Sequence, residues 1–480
     1  MDTLDIKSVS KKTVHGIFSL ASRSLILQII NFIAFLTISV VLSARELGIY
    51  TAVIAIQRVI SFFSDFGLGA ALVQKKENLK REDIATVFTI QSFITLGIFL
   101  FFLIFIRQIG SIFNLNEEGG RLLLVLVFTI FLSSFKMIPS VLLERNINFS
   151  KLVIPQIGES LVFNILLIFL VINNFGIDSY SWAFLVSSLV GIPLYYYISP
   201  WSPRVGVYKS SLADLKFGAQ FQAKNILATI KDDFLTVILT RFLSFTQIGY
   251  IGFAQRIAFF VYRYIVDSVT KVTFSSYSRI QDNKEFLQTA IEKSLFFTTI
   301  ILFPLLFGLI ITSSYLMQFI PGWANKWEPA LISLVFFSLN AVISSMSSVL
   351  VNVLDATGRV KTTLKLMVLW TVMTWTITPI FIYFWGFSGV AIASFVITLT
   401  IFVTIYLVKK VVDFKFIKSI YKPVIAAAIM AFSTYFLAEF LVKDLLTLIF
   451  VIILGGVIYF LAIYILAGKQ IFEDIKKLYL

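Results

Sequence analysis

Long apolar runs recur along the entire sequence, and this pattern constrains the fold more than any other feature. Nearly every window of about twenty residues is dominated by Phe, Ile, Leu and Val, and 58% of all residues are hydrophobic. An α-helix needs about 20 apolar residues to cross the hydrocarbon core of a bilayer, which is about 30 Å thick. The sequence therefore predicts an all-α integral membrane protein that crosses the bilayer many times.

The apolar runs predict about fourteen transmembrane spans. Each is expected to be a helix, because backbone groups surrounded by lipid must be paired within their own segment. The approximate limits are 16–42, 46–73, 84–106, 122–143, 152–172, 180–199, 212–239, 247–273, 292–312, 329–353, 363–385, 387–408, 421–442 and 445–467.

The distribution of basic residues predicts which loops face the cytoplasm. The chain has 40 Lys and Arg against 26 Asp and Glu. With the N-terminus inside, the cytoplasmic segments hold 26 of the basic residues and the outer segments hold 6, as the positive-inside rule requires. This asymmetry needs an even number of spans, so both termini are predicted to be cytoplasmic. The surplus of +14 then reflects topology and lipid contact, and no nucleic-acid partner is predicted.

Several classes of chemistry have no support in the sequence. Cysteine is absent and the one histidine, His15, precedes the first span, so thiolate catalysis is excluded and a zinc site is not predicted. No P-loop and no nucleophile-histidine-acid set is present. The polar start of the chain is followed by a long span with no small-residue cleavage site, which predicts that no signal peptide is removed.

Charged residues inside the spans point to a functional site. Each basic side chain at the centre of a span costs about 2.5–3.5 kcal/mol to insert, and the acids at this depth are too few to pair with all of them. Eight basic residues are assigned to the membrane interior and not to a loop: Arg23, Arg58, Lys136, Lys224, Lys231, Arg256, Arg263 and Lys271. The acidic residues assigned to membrane depth are Asp65, Glu159, Asp232, Asp233 and Asp267.

These charges follow helical periodicity. Arg256, Arg263, Asp267 and Lys271 predict one charged stripe along span 8. Three more polar stripes are predicted from Gln220, Lys224 and Lys231 on span 7, Arg58 and Asp65 on span 2, and Arg23, Ser24, Gln28 and Asn31 on span 1. Spans 1, 2, 7 and 8 are therefore expected to line a water-filled, cationic cavity.

Structural readings of some charges remain open from the sequence. Lys136 and Glu159 could pair across spans 4 and 5, and Lys271 could reach the interface along its aliphatic stem. Arg263 and Asp267, four residues apart, could neutralise each other on one helix face. Asp65, Asp233 and Asp267 could each pair with a cation or bind a coupling ion.

A weak internal repeat supports two equivalent halves. At an offset of 201 residues, Leu47 and Gly48 align with Ile248 and Gly249, Ser43 aligns with Ser244, and Arg23 aligns with Lys224. Six spans per half in parallel orientation is a known transporter plan. The predicted organisation is an N-terminal bundle over 1–210, a C-terminal bundle over 211–410, and two further spans with a cytoplasmic tail over 411–480.

Several motifs carry a resemblance to a known family. LSARELGIYTAVIAIQRVISFFSDFGLGAALVQKK resembles the second-span signature of the Wzx-type polysaccharide flippases of the MOP superfamily, which export O-antigen, colanic acid or teichuronic acid. The segment from Asp233 to Arg256 is similar to the junction of spans 7 and 8 in that family. VTFSSYSRIQDN, WEPA and DATGR resemble further family segments, although Ser275 replaces the usual proline. The resemblance covers roughly residues 14–410.

This resemblance implies a fold, a substrate and a set of binding residues. It implies a MATE-like fold of two six-helix bundles in pseudo-twofold arrangement, which moves an undecaprenyl-diphosphate-linked oligosaccharide to the outer leaflet of the cell (inner) membrane by alternating access. Arginines that hold the diphosphate in related flippases correspond to Arg23, Arg58 and Arg256 or Arg263. The implied partners are the lipid-linked oligosaccharide, membrane lipids, a polysaccharide polymerase and a chain-length regulator.

The substrate-binding set predicted on both grounds comprises Arg23, Arg58, Lys224, Lys231, Arg256, Arg263, Ser24, Gln28, Asn31 and Gln220. Candidate residues for proton or sodium coupling are Asp65, Asp233 and Asp267, with no other cofactor and no metal. Two alternatives are a MATE-type cation antiporter and a membrane-embedded glycan polymerase. A cationic cavity would repel the cationic substrates of the first, and the short outer connections leave little room for the acceptor site of the second.

Overall fold

A computed structural model of the protein describes residues 26–64, 67–75, 77–208 and 230–479. Within these ranges every regular element is a helix and no strand occurs, which confirms the predicted all-α class. The helices are α1 (Ile26–Val41), α2 (Ala44–Ser64), α3 (Leu68–Gln74), α4 (Arg81–Ile112), α5 (Glu117–Arg145), α6 (Phe149–Ile172), α7 (Asp178–Ile198), α8 (Leu235–Leu239), α9 (Phe245–Ile280), α10 (Lys284–Phe319), α11 (Leu331–Ala356), α12 (Val360–Trp385), α13 (Gly389–Thr398), α14 (Ile401–Lys409), α15 (Phe416–Leu441) and α16 (Leu445–Tyr479).

The described ranges contain nine helical segments that are long and apolar enough to cross a membrane. One of these, Val360–Lys409, has 50 residues and combines α12, α13 and α14. At about 1.5 Å per residue it is long enough to cross the bilayer twice. The protein is a multi-pass membrane protein, as the apolar runs predict.

The helix predicted over 46–73 is interrupted. α2 ends at Ser64, and α3 begins at Leu68 after Gly67. Gly67 has φ 67°, in the left-handed region that glycine adopts without a steric penalty. The predicted span therefore contains two helices and not one, and the apolar pattern of the segment does not reveal the effect of this glycine on the backbone.

The chain divides into two compact units, Met1–Gly249 and Tyr250–Leu480. The boundary falls inside α9, whose first turn belongs to the first unit. The bundle boundary predicted at residue 210 stays a prediction, since residues 209–229 lie outside the described ranges.

Each unit has its own packing. In the first unit, α5 packs against α4 and α7, and α7 also packs against α6. In the second unit, α10 packs against α11, α15 and α16. Buried side chains of α10 and α11, among them Leu302, Leu306, Val349 and Val353, form the core of this second unit together with Met430 of α15.

Matched capping boxes start α2 and α9. The backbone N–H of Ser43 donates to Glu46 Oε2 at 2.8 Å, and Glu46 N–H donates to Ser43 Oγ at 3.3 Å. Ser244 N–H donates to Gln247 Oε1 at 2.9 Å, and Gln247 N–H donates to Ser244 Oγ at 3.3 Å. Each box satisfies two N–H groups that a helix start leaves unpaired. The two serines aligned by the repeat thus have the same structural role.

Candidate functional site

The structure describes eight of the predicted site residues. Gln28, Asn31, Arg58, Lys231 and Asp233 lie in the first unit, and Arg256, Arg263 and Asp267 lie in the second. The predicted residues Arg23, Ser24, Asp65, Gln220 and Lys224 lie outside the described ranges.

Arg58 on α2 is paired with Asp233. Its Nη1 lies 3.3 Å from Asp233 Oδ1, and the Arg58 side chain is 57% exposed while that of Asp233 is 20% exposed. A pair this open contributes about 0–1 kcal/mol. The guanidinium therefore keeps most of its hydrogen-bond donors available to another anion. An anion that displaced Asp233 from Arg58 would give up little binding energy.

Asp233 lies on an irregular turn that precedes α8. Residues Ile230–Phe234 form one turn of π-helix, a geometry that is frequent at functional sites. In the same turn Lys231 Nζ lies 3.1 Å from Asp232 Oδ1. The turn thus presents one lysine and two carboxylates beside the helix that carries Arg58.

One polar residue of α1, Asn31, contacts α6. Asn164 Nδ2 donates to Asn31 Oδ1 at 3.0 Å, and Asn164 itself is buried. Gln28, about one turn before Asn31, is half-buried. The amide group of Asn31 therefore acts at least in part as a link between two helices, a role that the sequence did not distinguish from sugar binding.

The charged stripe predicted on α9 is present in its C-terminal part. Arg263, Asp267 and Lys271 are exposed at intervals of four residues on one face, whereas Arg256 is half-buried. Arg263 and Asp267, which the sequence would allow to neutralise each other, form no ion pair within the described part of the chain. An exposed pair gains too little to fix two flexible side chains in one geometry.

Another polar cluster in the first unit joins α5, α6 and α7. Lys136 on α5 donates to Glu159 Oε1 on α6, and its Nζ also lies 3.3 Å from Ser188 Oγ on α7. The pairing of Lys136 with Glu159, which the sequence left open, is present in the structure. The third partner was missed, because a serine in an apolar helix gives no signal of its own in the sequence.

Comparison with solved structures shows the fold. The chain is similar to the lipid II flippase MurJ in its inward closed conformation, with a TM-score of 0.75 and 20% identity over 93% of this chain and 100% of that one. It is also similar to an inward-facing multidrug resistance MATE family transporter of the MOP superfamily, with a TM-score of 0.63, 16% identity, and coverage of 80% of this chain and 95% of that one. The predicted MATE-like fold is confirmed.

Sequence comparison identifies relatives in polysaccharide biosynthesis. The lipopolysaccharide biosynthesis protein WzxC of Escherichia coli (strain K12) is 25% identical over 370 residues, 75% of this chain and 73% of that protein. The succinoglycan biosynthesis transport protein ExoT of Rhizobium meliloti (strain 1021) is 26% identical over 303 residues, 62% of this chain and 60% of that protein. Residues 38–332, more than half of the chain, match the family described as "Polysaccharide biosynthesis protein". The chain therefore belongs to the polysaccharide biosynthesis protein family.

Proposed function

We propose that this protein is a flippase that moves undecaprenyl-diphosphate-linked oligosaccharides from the cytoplasmic to the outer leaflet of the cell (inner) membrane for surface polysaccharide synthesis. It acts as a transporter and not as an enzyme. Family membership supports the polysaccharide pathway, and the names of WzxC and ExoT place relatives in lipopolysaccharide biosynthesis and succinoglycan transport. The excess of basic residues in the predicted inner loops supports cytoplasmic termini.

The physical task explains the charges inside the membrane. A diphosphate carries negative charge and the attached glycan carries many hydroxyl groups, so neither crosses about 30 Å of hydrocarbon unaided. A protein that supplies cations and hydrogen-bond donors along the path lowers this barrier. Arginine suits a diphosphate because its planar guanidinium donates to two oxygens at once and stays protonated.

The observation that carries the proposal is the exposure of the Arg58 side chain and the weakness of its ion pair. Its side chain is 57% exposed although it lies on a helix inside the predicted membrane region, and it has one weak acidic partner at 3.3 Å. Arg263 of the second unit is likewise exposed and has no acidic partner among the described residues. Such guanidiniums are costly in lipid, and binding a phosphorylated headgroup offsets that cost.

The remaining predicted residues have supporting roles in this proposal. Arg23, Lys224, Lys231 and Arg256 add positive charge for the diphosphate, while Ser24, Gln28, Asn31 and Gln220 donate hydrogen bonds to sugars. A proton or sodium gradient drives the return step through Asp65, Asp233 or Asp267. The polymerase and chain-length regulator act on the product at the outer face.

Complementation of a flippase-null strain tests the proposal. Arg58→Ala and Arg263→Ala should be present in the membrane at wild-type levels but should lose surface glycan. Lys284→Ala is the matched control, because it removes an exposed basic residue at the start of α10, outside the predicted spans, and should keep full surface glycan. Wild-type glycan from both arginine variants would refute the proposed binding role.

A further inference from the structure

Basic side chains concentrate where α14 is connected to α15 in the second unit. Segment 409–422 covers the end of α14, the connection over residues 410–415 and the start of α15. It holds five lysines against one acid, the exposed Asp413, and therefore has a net charge of +4. The members of this lysine cluster are Lys409, Lys410, Lys415, Lys418 and Lys422.

Three of the five ammonium groups have no acidic partner in the described part of the chain. These belong to Lys409, Lys415 and Lys418, which are exposed. A fourth, Lys410 Nζ, lies 4.4 Å from the centroid of the Tyr406 ring, a contact that leaves its charge uncompensated. The lysine cluster is therefore open to an external anion.

The connection that presents these lysines is held firmly by the second unit. Val412 and Phe414, which alternate with exposed residues, are buried in the core of that unit. The backbone N–H of Lys415 donates to Glu292 Oε1 of α10 at 2.8 Å, and Gln288 Nε2 donates to the same oxygen at 2.9 Å. The lysines thus extend from a fixed backbone, which reduces the ordering cost of binding a ligand.

Exposed apolar faces of both helices lead up to the lysine cluster. On α15, Phe432, Tyr421 and Ile417 are exposed at intervals of three turns and one turn, so they lie on one face. On α14, Phe402 and Tyr406 are exposed one turn apart. Such faces of a membrane protein contact acyl chains, and tyrosine is enriched at the level of the headgroups. The lysines that follow the two tyrosines therefore lie at headgroup level, on the predicted cytoplasmic side.

We propose that the lysine cluster binds the phosphate of an anionic glycerophospholipid from the cytoplasmic leaflet, while the acyl chains of that lipid lie along the exposed faces of α14 and α15. Lysine ammonium groups extend along their aliphatic stems to the phosphate level and attract anionic lipids there. A soluble anion would satisfy the charges, but it would make no use of the adjoining apolar faces. This inference does not depend on the proposed flippase function.

Lipid binding to the full-length protein in neutral detergent tests the site. Phosphatidylglycerol and phosphatidylcholine, each carrying a fluorophore on an acyl chain, are titrated at low salt. The wild type should bind phosphatidylglycerol more tightly, and the difference should shrink between about 50 and about 500 mM NaCl because salt screens exposed charges. Replacement of Lys409, Lys415 and Lys418 together by glutamine should weaken phosphatidylglycerol binding by about fivefold for each lysine removed.

Two further variants serve as controls. Replacement of the same three lysines by arginine keeps the charge and should keep the preference for phosphatidylglycerol. Replacement of Lys151, Lys284 and Lys443 together by glutamine removes the same charge from three exposed lysines outside the cluster, and it should leave phosphatidylglycerol binding near the wild-type value.

The outcomes separate a site from a general effect of charge. Equal affinity of the wild type for the two lipids at low salt would overturn the site, whichever variants are recovered. Equal losses in the two glutamine triple variants would also overturn it, because net charge would then be the cause. The phosphate of undecaprenyl diphosphate has similar chemistry, so its binding is measured in parallel. The cluster variant should bind it as the wild type does, and a loss would assign the lysines to that lipid and overturn the glycerophospholipid site.

Discussion

Gly48 and Gly249 lie where the first turns of α2 and α9 cross, and each lets the backbone of the other helix approach closely. A Cβ at Gly48 would lie 1.6 Å from the carbonyl oxygen of Phe245, and a Cβ at Gly249 would lie 1.8 Å from that of Ala44. The contact is reciprocal at the repeat offset, because Ala44 aligns with Phe245 just as Gly48 aligns with Gly249. Small residues allow such contacts between membrane helices.

Alanine at either glycine should destabilise the protein and impair transport. The added methyl group cannot fit without separating the two helix ends, and the neighbouring atoms are backbone and cannot rotate away. Overpacking of this kind costs about 1–3 kcal/mol. We expect a lower melting temperature in detergent and reduced surface glycan for Gly48→Ala and Gly249→Ala.

Gly97→Ala is the matched control for these two variants. Gly97 lies inside α4, and a Cβ there would meet no atom within 4 Å. Alanine should be neutral or stabilise by about 0.5–1 kcal/mol, because it reduces the flexibility of the unfolded chain. A melting temperature for Gly48→Ala equal to that of Gly97→Ala would contradict the close contact.

Much of the fold could be predicted from the sequence because bilayer thickness imposes a length on every span. The ends of α5, α6, α7 and α12 lie within about five residues of the predicted limits. The alignment of Ser43 with Ser244 was also predicted, and the structure shows that both serines cap a helix. The break at Gly67 was not predicted. Average hydrophobicity over about twenty residues does not depend on whether one glycine has a left-handed backbone conformation.

The partners of the charged residues could be predicted less well. The pairing of Lys136 with Glu159 was one of the readings that the sequence left open, and the structure shows it. The Arg58–Asp233 contact joins residues 175 positions apart, and the sequence offered several acids for that arginine. Arg263 and Asp267 show the limit of spacing arguments, since helical spacing makes an ion pair geometrically accessible without making it favourable.

Asp444 should stabilise the start of α16 in a way that depends on pH. Its Oδ1 accepts hydrogen bonds from the N–H and the Oγ1 of Thr447, each at 2.8 Å. These bonds lower the pKa of Asp444 below its ordinary value of 3.8. A lowered pKa means that the stabilisation is complete above the ordinary value and is lost as pH falls through the folded-state value.

Two substitutions at Asp444 separate the cap from the charge. Asp444→Ala should lower the melting temperature at neutral pH, whereas Asp444→Asn should nearly preserve it, because asparagine caps helices about as well as aspartate. The advantage of the wild type over Asp444→Asn should disappear in acid. If the melting-temperature advantage of the wild type over Asp444→Asn grew as pH fell, the pKa of Asp444 would be raised and not lowered.

Arg145 should hold the segment that follows α3 in place. Its Nη1 donates to the carbonyl oxygens of Leu72 at 2.8 Å and Lys75 at 2.6 Å, and its Nη2 donates to that of Glu77. Hydrogen bonds from a charged donor contribute about 1.5–3 kcal/mol when well formed. Lysine cannot reproduce this fork, so Arg145→Lys and Arg145→Ala should both loosen the segment.

Limited trypsin digestion measures this effect and also tests the topology. Both Arg145 variants should be cleaved faster than the wild type near residues 75–81 in inside-out membrane vesicles, and right-side-out vesicles should protect the segment. Lys151→Ala, which removes an exposed basic residue on the next helix, should digest like the wild type. Equal digestion rates in all four proteins would exclude the proposed role of Arg145.

Asp233 should compete with the substrate for Arg58. Arg58 Nη1 and Asp233 Oδ1 are 3.3 Å apart and exposed, so the ion pair contributes at most about 1 kcal/mol. A diphosphate that binds Arg58 must replace this interaction. Asp233→Asn should therefore tighten binding of undecaprenyl diphosphate by up to about fivefold, and Asp178→Asn, which frees Arg121 from its ion pair outside the predicted spans, should not. Weaker binding by Asp233→Asn would mean that the carboxylate orients the guanidinium or binds a coupling ion. In that case Arg58→Ala and Asp233→Asn would lose activity together, and their double variant would be no worse than either alone.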